Sequence, residues 1–248
     1  MIRRILVTRP AAQSAELCTL LAERGLEAIA APTVAIDTAS SAADLDAMLA
    51  RLAGAAWLVL TSANGAAALV ARLGATGRHL SDTIRVAAVG PATADALEAA
   101  GIRVDHVPAA FLTTAIADGL GDLVGRRVVL ARADAATAGL HDALVARGAL
   151  VEEVVAYRTI EGPGASRYGL RDTLATDLAG IAFTSGSTVR GLLHLAPNVD
   201  RAIPAHCIGP VTAAEARRAG FEVATVADEH TTAGLADAIA THLLERAR

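Results

Sequence analysis

Lysine is absent from the 248-residue chain, so all 22 basic residues are arginine. That absence excludes lysine Schiff bases, pyridoxal phosphate attachment and the lysine of a Walker-type phosphate loop, because no other side chain supplies a primary amine. Aromatic residues make up only 2% of the chain, no basic run or aromatic stripe occurs, and the formal net charge is −4. Nucleic-acid binding depends on neutralising phosphates and is not expected. Cysteine is nearly missing. Cys18 lies in a helical pattern and Cys207 in a strand pattern, which suits neither a disulfide framework nor a zinc site and leaves two reduced, buried thiols as the expectation. Long apolar runs are missing too. The longest, such as residues 55–60, fall far below the ~18 to 20 residues that cross a bilayer, and the run at residues 5–7 is too short for a signal-peptide core of ~7 to 15 residues. A cytoplasmic protein without a membrane partner is expected.

What is abundant is small and aliphatic. Hydrophobic residues, mostly Ala, Val and Leu, make up 53% of the chain, enough for a sizeable core, and the length suits one or two domains at ~100 to 200 residues each. The chain also repeats itself. Arg3-Arg4-Ile5-Leu6-Val7-Thr8-Arg9 returns as Arg126-Arg127-Val128-Val129-Leu130-Ala131-Arg132 at an offset of 123, and Leu58-Val59-Leu60-Thr61-Ser62 returns as Ile181-Ala182-Phe183-Thr184-Ser185 at the same offset. Val89-Gly90-Pro91-Ala92-Thr93-Ala94 returns as Ile208-Gly209-Pro210-Val211-Thr212-Ala213 at an offset of 119. A repeat this long matches a whole domain rather than a solenoid unit, so a duplication of two similar domains is predicted.

Within each copy, short β-branched runs alternate with Ala/Leu segments of helical spacing, the pattern of an α/β fold whose parallel strands are covered on both faces by helices. Ten strands are predicted, five per domain, at residues 5–8, 28–36, 57–61, 85–89, 104–107, 127–131, 150–159, 180–184, 205–208 and 222–226. Ser14 is the predicted cap of the first helix, which Gly25 ends as a left-handed turn, and Gly148 repeats that role. Gly-Pro opens the helices that begin near Thr93 and Thr212, because proline has no N–H to lose at a helix start. The last helix is predicted over 234–248, with Arg246 and Arg248 favoured by the dipole near its C-terminus. Spacing leaves the domain order open. Either two tandem domains divide near residue 124, or the long strands 28–36 and 150–159 are connectors and residues 38–156 form an inserted domain between 1–35 and 160–248.

Ligands of open parallel sheets bind at the C-terminal ends of the strands, and the repeated polar motifs fall there. The turns Thr8-Arg9-Pro10, Thr61-Ser62-Ala63-Asn64-Gly65, Gly90-Pro91-Ala92-Thr93, Arg132-Ala133-Asp134, Thr184-Ser185-Gly186-Ser187-Thr188 and Gly209-Pro210-Val211-Thr212 lead into helices, whose first N–H groups and positive dipole ends hold anions. An anionic ligand is expected. The plainer reading of each Ser or Thr is a helix cap, and of Arg9 and Arg132 a surface ion pair; Arg9 is the better ligand candidate of the two. Nucleophilic catalysis finds no support, since there is no Gly-x-Ser-x-Gly elbow and neither cysteine has an activating neighbour. The seven histidines are scattered without metal-site spacing and read as surface or half-buried residues. Tyr157, one of two tyrosines, sits in a suspected connector ahead of Arg158 and Thr159. Its phenol could assist a departing hydroxide, or merely anchor the connector.

Taken in order and spacing, Val7-Thr8-Arg9-Pro10, Leu60-Thr61-Ser62-Ala63-Asn64, Val89-Gly90-Pro91-Ala92-Thr93-Ala94, Tyr157-Arg158-Thr159, Phe183-Thr184-Ser185-Gly186-Ser187 and Ile208-Gly209-Pro210-Val211-Thr212-Ala213 resemble the uroporphyrinogen-III synthase family over nearly the whole chain. The resemblance implies two flavodoxin-like domains with parallel five-stranded sheets joined by a two-stranded linker, with linkers near 33–38 and 156–161. It implies a linear tetrapyrrole polycarboxylate, hydroxymethylbilane, as substrate between the domains, and cyclisation with ring D inverted through a spiro intermediate, without cofactor or metal. By the same resemblance Tyr157 is the catalytic residue, and Ser62, Asn64, Ser185, Gly186, Ser187 and Thr212 bind substrate, with Thr93 as the internal copy of Thr212. Arg9 joins them from the residue reading. A cytoplasmic monomer, in contact with the preceding enzyme of the pathway, is the implied setting. Two competitors stand at this point: a phosphosugar-binding module, because Thr184-Ser185-Gly186-Ser187-Thr188 also resembles a hydroxyl-rich phosphate loop, and a tetrapyrrole-binding homologue without turnover.

Overall fold

The computed structural model describes residues 3–109 and 113–245. The chain divides into two compact units, Met1–Ala35 with Ile160–Arg248 and Ile36–Thr159. In the first, β1 (Arg4–Val7), β2 (Glu27–Ala30), β8 (Gly180–Phe183), β9 (Ala205–Cys207) and β10 (Val223–Val226) form a sheet in the order β10-β9-β8-β1-β2. Every adjacent pair in it is parallel. Helices α1 (Ala11–Glu23), α6 (Arg167–Leu174), α7 (Gly186–Leu195), α8 (Pro210–Arg218) and α9 (Thr232–Glu245) belong to this unit. The second sheet runs β3-β7-β6-β4-β5, from β3 (Val34–Asp37), β4 (Trp57–Leu60), β5 (Arg85–Ala88), β6 (Arg127–Ala133) and β7 (Leu150–Glu161). Its β4, β5, β6 and β7 pair in parallel. Its helices are α2 (Ala42–Ala50), α3 (Ala63–Thr76), α4 (Pro91–Glu98), a 3-10 turn at Thr113–Gly119 and α5 (Gly139–Ala146).

Alternate residues of each central strand enter opposite layers, as a period of two requires. Leu58 and Leu60 join a cluster with Leu69, Leu97 and Val129, while Trp57 and Val59 join another with Leu130, Leu144 and Ile116. In the first unit Leu6, Ile181 and Phe183 face Leu192 and Phe221, whereas Ile5, Val7 and Ala182 face Leu17, Leu235 and Ile239. Each such large aliphatic side chain removed from water contributes ~1.5 to 3 kcal/mol, which is why both faces of each sheet carry helices.

Three expectations change. The strand predicted at 28–36 is two strands, β2 and β3, that belong to different sheets; Pro32 between them has no N–H for a ladder and Thr33 turns the chain. The strand predicted at 104–107 is a single parallel bridge between Ala87 and His106. Ser14 does not cap the first helix. Pro10 occupies the N-cap, and the buried Ser14 hydroxyl donates back to the Arg9 and Pro10 carbonyls at 3.1 Å, the back-bonding open to a serine inside a helix. Gly25 and Gly148 do take left-handed φ values of 75° and 82° past α1 and α5. Arg246 and Arg248, expected to end the last helix, lie outside the described residues.

Candidate functional site

Strand order decides which turns become neighbours. Because β9, β8 and β1 lie side by side, the turns that follow them line one edge of the first sheet, ~5 Å apart per strand. After β8, Ser185 is the N-cap of α7. Its Oγ accepts from the Thr188 N–H at 3.3 Å, while the Thr188 hydroxyl sits 3.4 Å from the Ser185 N–H, closing a reciprocal capping box. Ser185 and Ser187 hydroxyls are 2.8 Å apart. The box consumes the Ser185 oxygen but leaves the Gly186 and Ser187 amides, first-turn donors with no intrahelical acceptor, at the positive end of α7. After β9, Gly209 and Pro210 open α8, and Thr212 is buried at the third helical position.

Arg9 follows β1. Its side chain is only 16% exposed, it donates to the Thr232 hydroxyl at 2.9 Å, and Glu16 stands 3.6 Å away. Burial pulls the guanidinium pKa below its ordinary value, with Glu16 opposing, so the charge is poorly solvated and favoured by an added anion. Arg132, its copy, is 5% exposed and occupied by Glu153 at 2.8 Å and by the Thr137 carbonyl. The two arginines therefore differ in role: Arg132 is an internal tie.

The second unit repeats the arrangement more simply. Ser62 caps α3 through the Gly65 N–H at 3.1 Å, Asn64 lies half-buried in the first turn of that helix, and Thr93 is buried in the first turn of α4. Tyr157 pairs with Ala133 near the end of β7, and its carbonyl accepts from the Asp134 N–H at 3.2 Å. Asp134 also faces the Thr159 N–H at 3.4 Å and Arg158 at 3.7 Å, so the turn after β6 steadies the strand on either side of the tyrosine. Tyr157 as a whole is 7% exposed and packs with Leu60, Ala131 and Val154. The first unit thus gathers Arg9, Ser185, Gly186, Ser187 and Thr212 at one edge, and the second gathers Ser62, Asn64, Thr93 and Tyr157.

Sequence reading missed a set of polar residues behind the Ser185 turn, of which Thr33 is buried and Arg190 exposed. Thr33, fully buried, donates to the Thr188 carbonyl at 2.8 Å, and the Arg190 guanidinium holds Glu161 at 2.6 Å and Glu215 at 3.4 Å. No motif marks these positions. His206 also departs from the surface or half-buried role expected of histidines: it is fully buried in β9, 2.9 Å from the Thr225 hydroxyl and 5.5 Å ring to ring from His242, and burial, aided by His242, drives its pKa down to about 3. Among the described residues no group of three or more His, Cys, Asp or Glu could hold a metal. Both cysteines are free thiols, and burial pushes Cys207 up to about 11, so it is unreactive at neutral pH. No helix among the described residues is long and apolar enough to cross a membrane.

Comparison with known proteins agrees with this geometry. Residues 15–237 match the family model described as uroporphyrinogen-III synthase HemD. A uroporphyrinogen-III synthase of Synechococcus elongatus is 33% identical, over 96% of this chain and 94% of that protein. Among solved structures, a mutant uroporphyrinogen III synthase from Thermus thermophilus superposes with a TM-score of 0.66 at 18% identity, covering 98% of this chain and 99% of that one. The uroporphyrinogen-III synthetase of Helicobacter pylori superposes with a TM-score of 0.61 at 16% identity, covering 100% of both chains, a likeness of fold. The two five-stranded, largely parallel sheets, the duplicated hydroxyl turns and these matches together make the chain a member of the uroporphyrinogen-III synthase family, enzymes of tetrapyrrole biosynthesis.

Proposed function

We propose that this protein is a cyclising hydro-lyase that converts hydroxymethylbilane to uroporphyrinogen III with ring D inverted. The observation that carries the proposal is the pair of capped turns, Ser62 to Gly65 and Ser185 to Thr188, each placing first-turn amides at the C-terminal edge of its own sheet. A polycarboxylate suits such amides, because the helix dipole supplies positive potential where formal charge is sparse. Gly186 and Ser187 amides, with the desolvated Arg9, hold carboxylate arms in the first unit; Ser62, Asn64 and Thr93 serve the second, and Thr212 shapes the first turn of α8.

In the proposed reaction the pyrrole nitrogen lone pair of ring A expels the terminal hydroxyl as the Tyr157 phenol protonates it, so that water leaves, and the ring A N–H proton passes to the phenolate, leaving a neutral azafulvene with an electrophilic methylene carbon. The substituted carbon of ring D attacks that carbon, giving the spiro intermediate, which fragments and recloses inverted. The substrate closes by itself to the uninverted isomer, so positioning supplies most of the catalysis and the chemistry asks for no cofactor. Flavodoxin-like topology is supported by the first sheet's order, which reads 2-1-3-4-5 when its strands are numbered along the chain. The proposal further takes residues 1–35 with 160–248 and residues 38–156 as domains, β3 and the end of β7 as the two-stranded linker, and a cytoplasmic monomer receiving its substrate from the preceding enzyme. Incubation with hydroxymethylbilane and separation of the oxidised isomers tests the activity: the type III isomer is expected, and type I alone would overturn the reading.

A further inference from the structure

Behind the Ser185 turn, α7 carries the two places where the chain leaves and re-enters the first unit. The leaving segment, Ala31-Pro32-Thr33, is anchored by Thr33. Its N–H donates to the Thr8 carbonyl at 3.1 Å, and its hydroxyl donates to the Thr188 carbonyl on α7 at 2.8 Å. The returning segment is anchored to the leaving one, because the Gly162 N–H donates to the Thr33 carbonyl at 2.9 Å. Gly162 has a φ of +72°, and a Cβ there would lie 2.6 Å from the Cβ of His194 on α7. Arg190 on the same helix grips Glu161, the last residue of β7, through both carboxylate oxygens, and Glu215 of α8 steadies the guanidinium from the other side.

Gly191 makes this seating possible. A Cβ at that position would fall 2.0 Å from the Thr33 carbonyl oxygen and 3.1 Å from the Gly162 nitrogen, a backbone collision that no rotamer relieves. Thr188 and Gly191 share one face of α7, three residues apart, and Thr188 is also the third helical residue, the one that closes the capping box. The hydroxyl of Thr33 thus reaches the residue whose N–H and hydroxyl hold Ser185.

We propose that Gly191 and Thr33 are positioning residues for the Ser185–Thr188 turn: the bare helix wall at Gly191 lets both crossings seat on α7, and the Thr33 hydroxyl ties that seat to the capping box that presents the Gly186 and Ser187 amides. This rests on the proposed carboxylate-holding role of those amides. Neither residue touches substrate, and their effect runs through Thr188.

The variants Thr33→Val, Thr33→Ser and Gly191→Ala test the coupling through two readouts. The first, amide hydrogen exchange in the ligand-free protein, needs no activity. Thr33→Val keeps shape and removes the hydroxyl, and is expected to speed exchange of the Thr188 amide roughly fivefold, the factor one ordinary hydrogen bond represents, while Thr33→Ser restores the parent rate. Gly191→Ala is expected to do the same or more; should it fail to fold, the Thr33 pair still decides. The second readout is the KM for hydroxymethylbilane, expected to rise roughly fivefold in Thr33→Val with kcat held, as loss of uniform binding requires, and to recover in Thr33→Ser. An unchanged Thr188 amide in Thr33→Val, or equal damage from Val and Ser, overturns the coupling. Altered exchange in a protein whose parent yields only the type I isomer upholds the coupling and removes the functional reading.

Discussion

The two units solve one packing problem in opposite ways. At the start of the third strand of its repeat the second unit has Trp57, and on the neighbouring strand Ala87; at the matching positions, offset by 123 and 119, the first unit has Gly180 and His206. The large ring has moved to the adjacent strand. Trp57 is 2% exposed and gives its indole N–H to the Leu120 carbonyl at 3.0 Å, whereas the His206 ring fills the space over Gly180, where a Cβ would meet its Nε2 at 2.4 Å. A second exchange lies beside the first: Thr225, which pairs with His206, is matched by His106, which bridges to Ala87. The duplication kept volume and backbone grammar rather than residues, because close packing constrains the summed volume of facing positions more tightly than either one. It also left the copies chemically unequal. The first unit holds a buried titratable ring that the second replaces with an indole.

The connectors differ in the same sense, and there the largest effect is expected. Val34 stands in the first copy where Tyr157 stands in the second. Tyr157→Phe makes the second connector as inert as the first, and kcat for type III formation should fall by ~10² or more, the range of a lost general acid, with the circular dichroism spectrum unchanged. Turnover equal to the parent would return the tyrosine to a packing role. Next in size, Gly180→Ala should cost ~1 to 3 kcal/mol in urea unfolding, since it overfills the space that His206 occupies. Combined with His206→Ala, which clears that space, the double variant should be more stable than the sum of the singles by more than ~0.5 kcal/mol. Strict additivity would show that the two positions do not share one volume.

The smallest effect separates the copies by pH. His206 has a folded pKa of about 3, far below its ordinary 6.5, so below that ordinary value the unfolded chain binds a proton that the folded chain refuses. Its contribution leaves stability unchanged above about pH 6.5 and lowers it as pH falls toward 3, by ~1.4 kcal/mol per unit at the steepest. Ala87, its counterpart, adds nothing. Urea midpoints at pH 7 and pH 5 should therefore converge in His206→Gln relative to the parent protein, and an identical pH dependence in both would show that another group governs it.

Much of the architecture was legible in residue order alone. The offset repeat announced a duplication, the alternation of β-branched and Ala/Leu segments announced parallel sheets with helices on both faces, and the hydroxyl turns announced helix starts at one sheet edge. Each of these is written in local chemistry: glycine where φ is positive, serine where an N–H needs an acceptor, proline where none is available. The candidate positions Ser62 and Ser185 were legible for the same reason, and so was their plainer role as caps, which both fulfil.

What local chemistry could not decide was partnership. The run 28–36 reads as one strand, yet Pro32 ends β2 in one sheet and β3 begins in the other, while the same stretch of the second copy, with Val155 in place of proline, continues unbroken to Glu161. The pairing of β1 with β8, between residues about 175 apart in sequence, settles which ends of the chain share a sheet, and spacing allowed either outcome. The burial of Thr33 against α7, the emptiness Gly191 must keep, and the desolvation of His206 exist only once distant segments meet. Propensity, capping and turn chemistry act within a few residues and are therefore carried by the sequence itself; strand partners and desolvation depend on which surfaces exclude water together, and that is set by the folded chain as a whole.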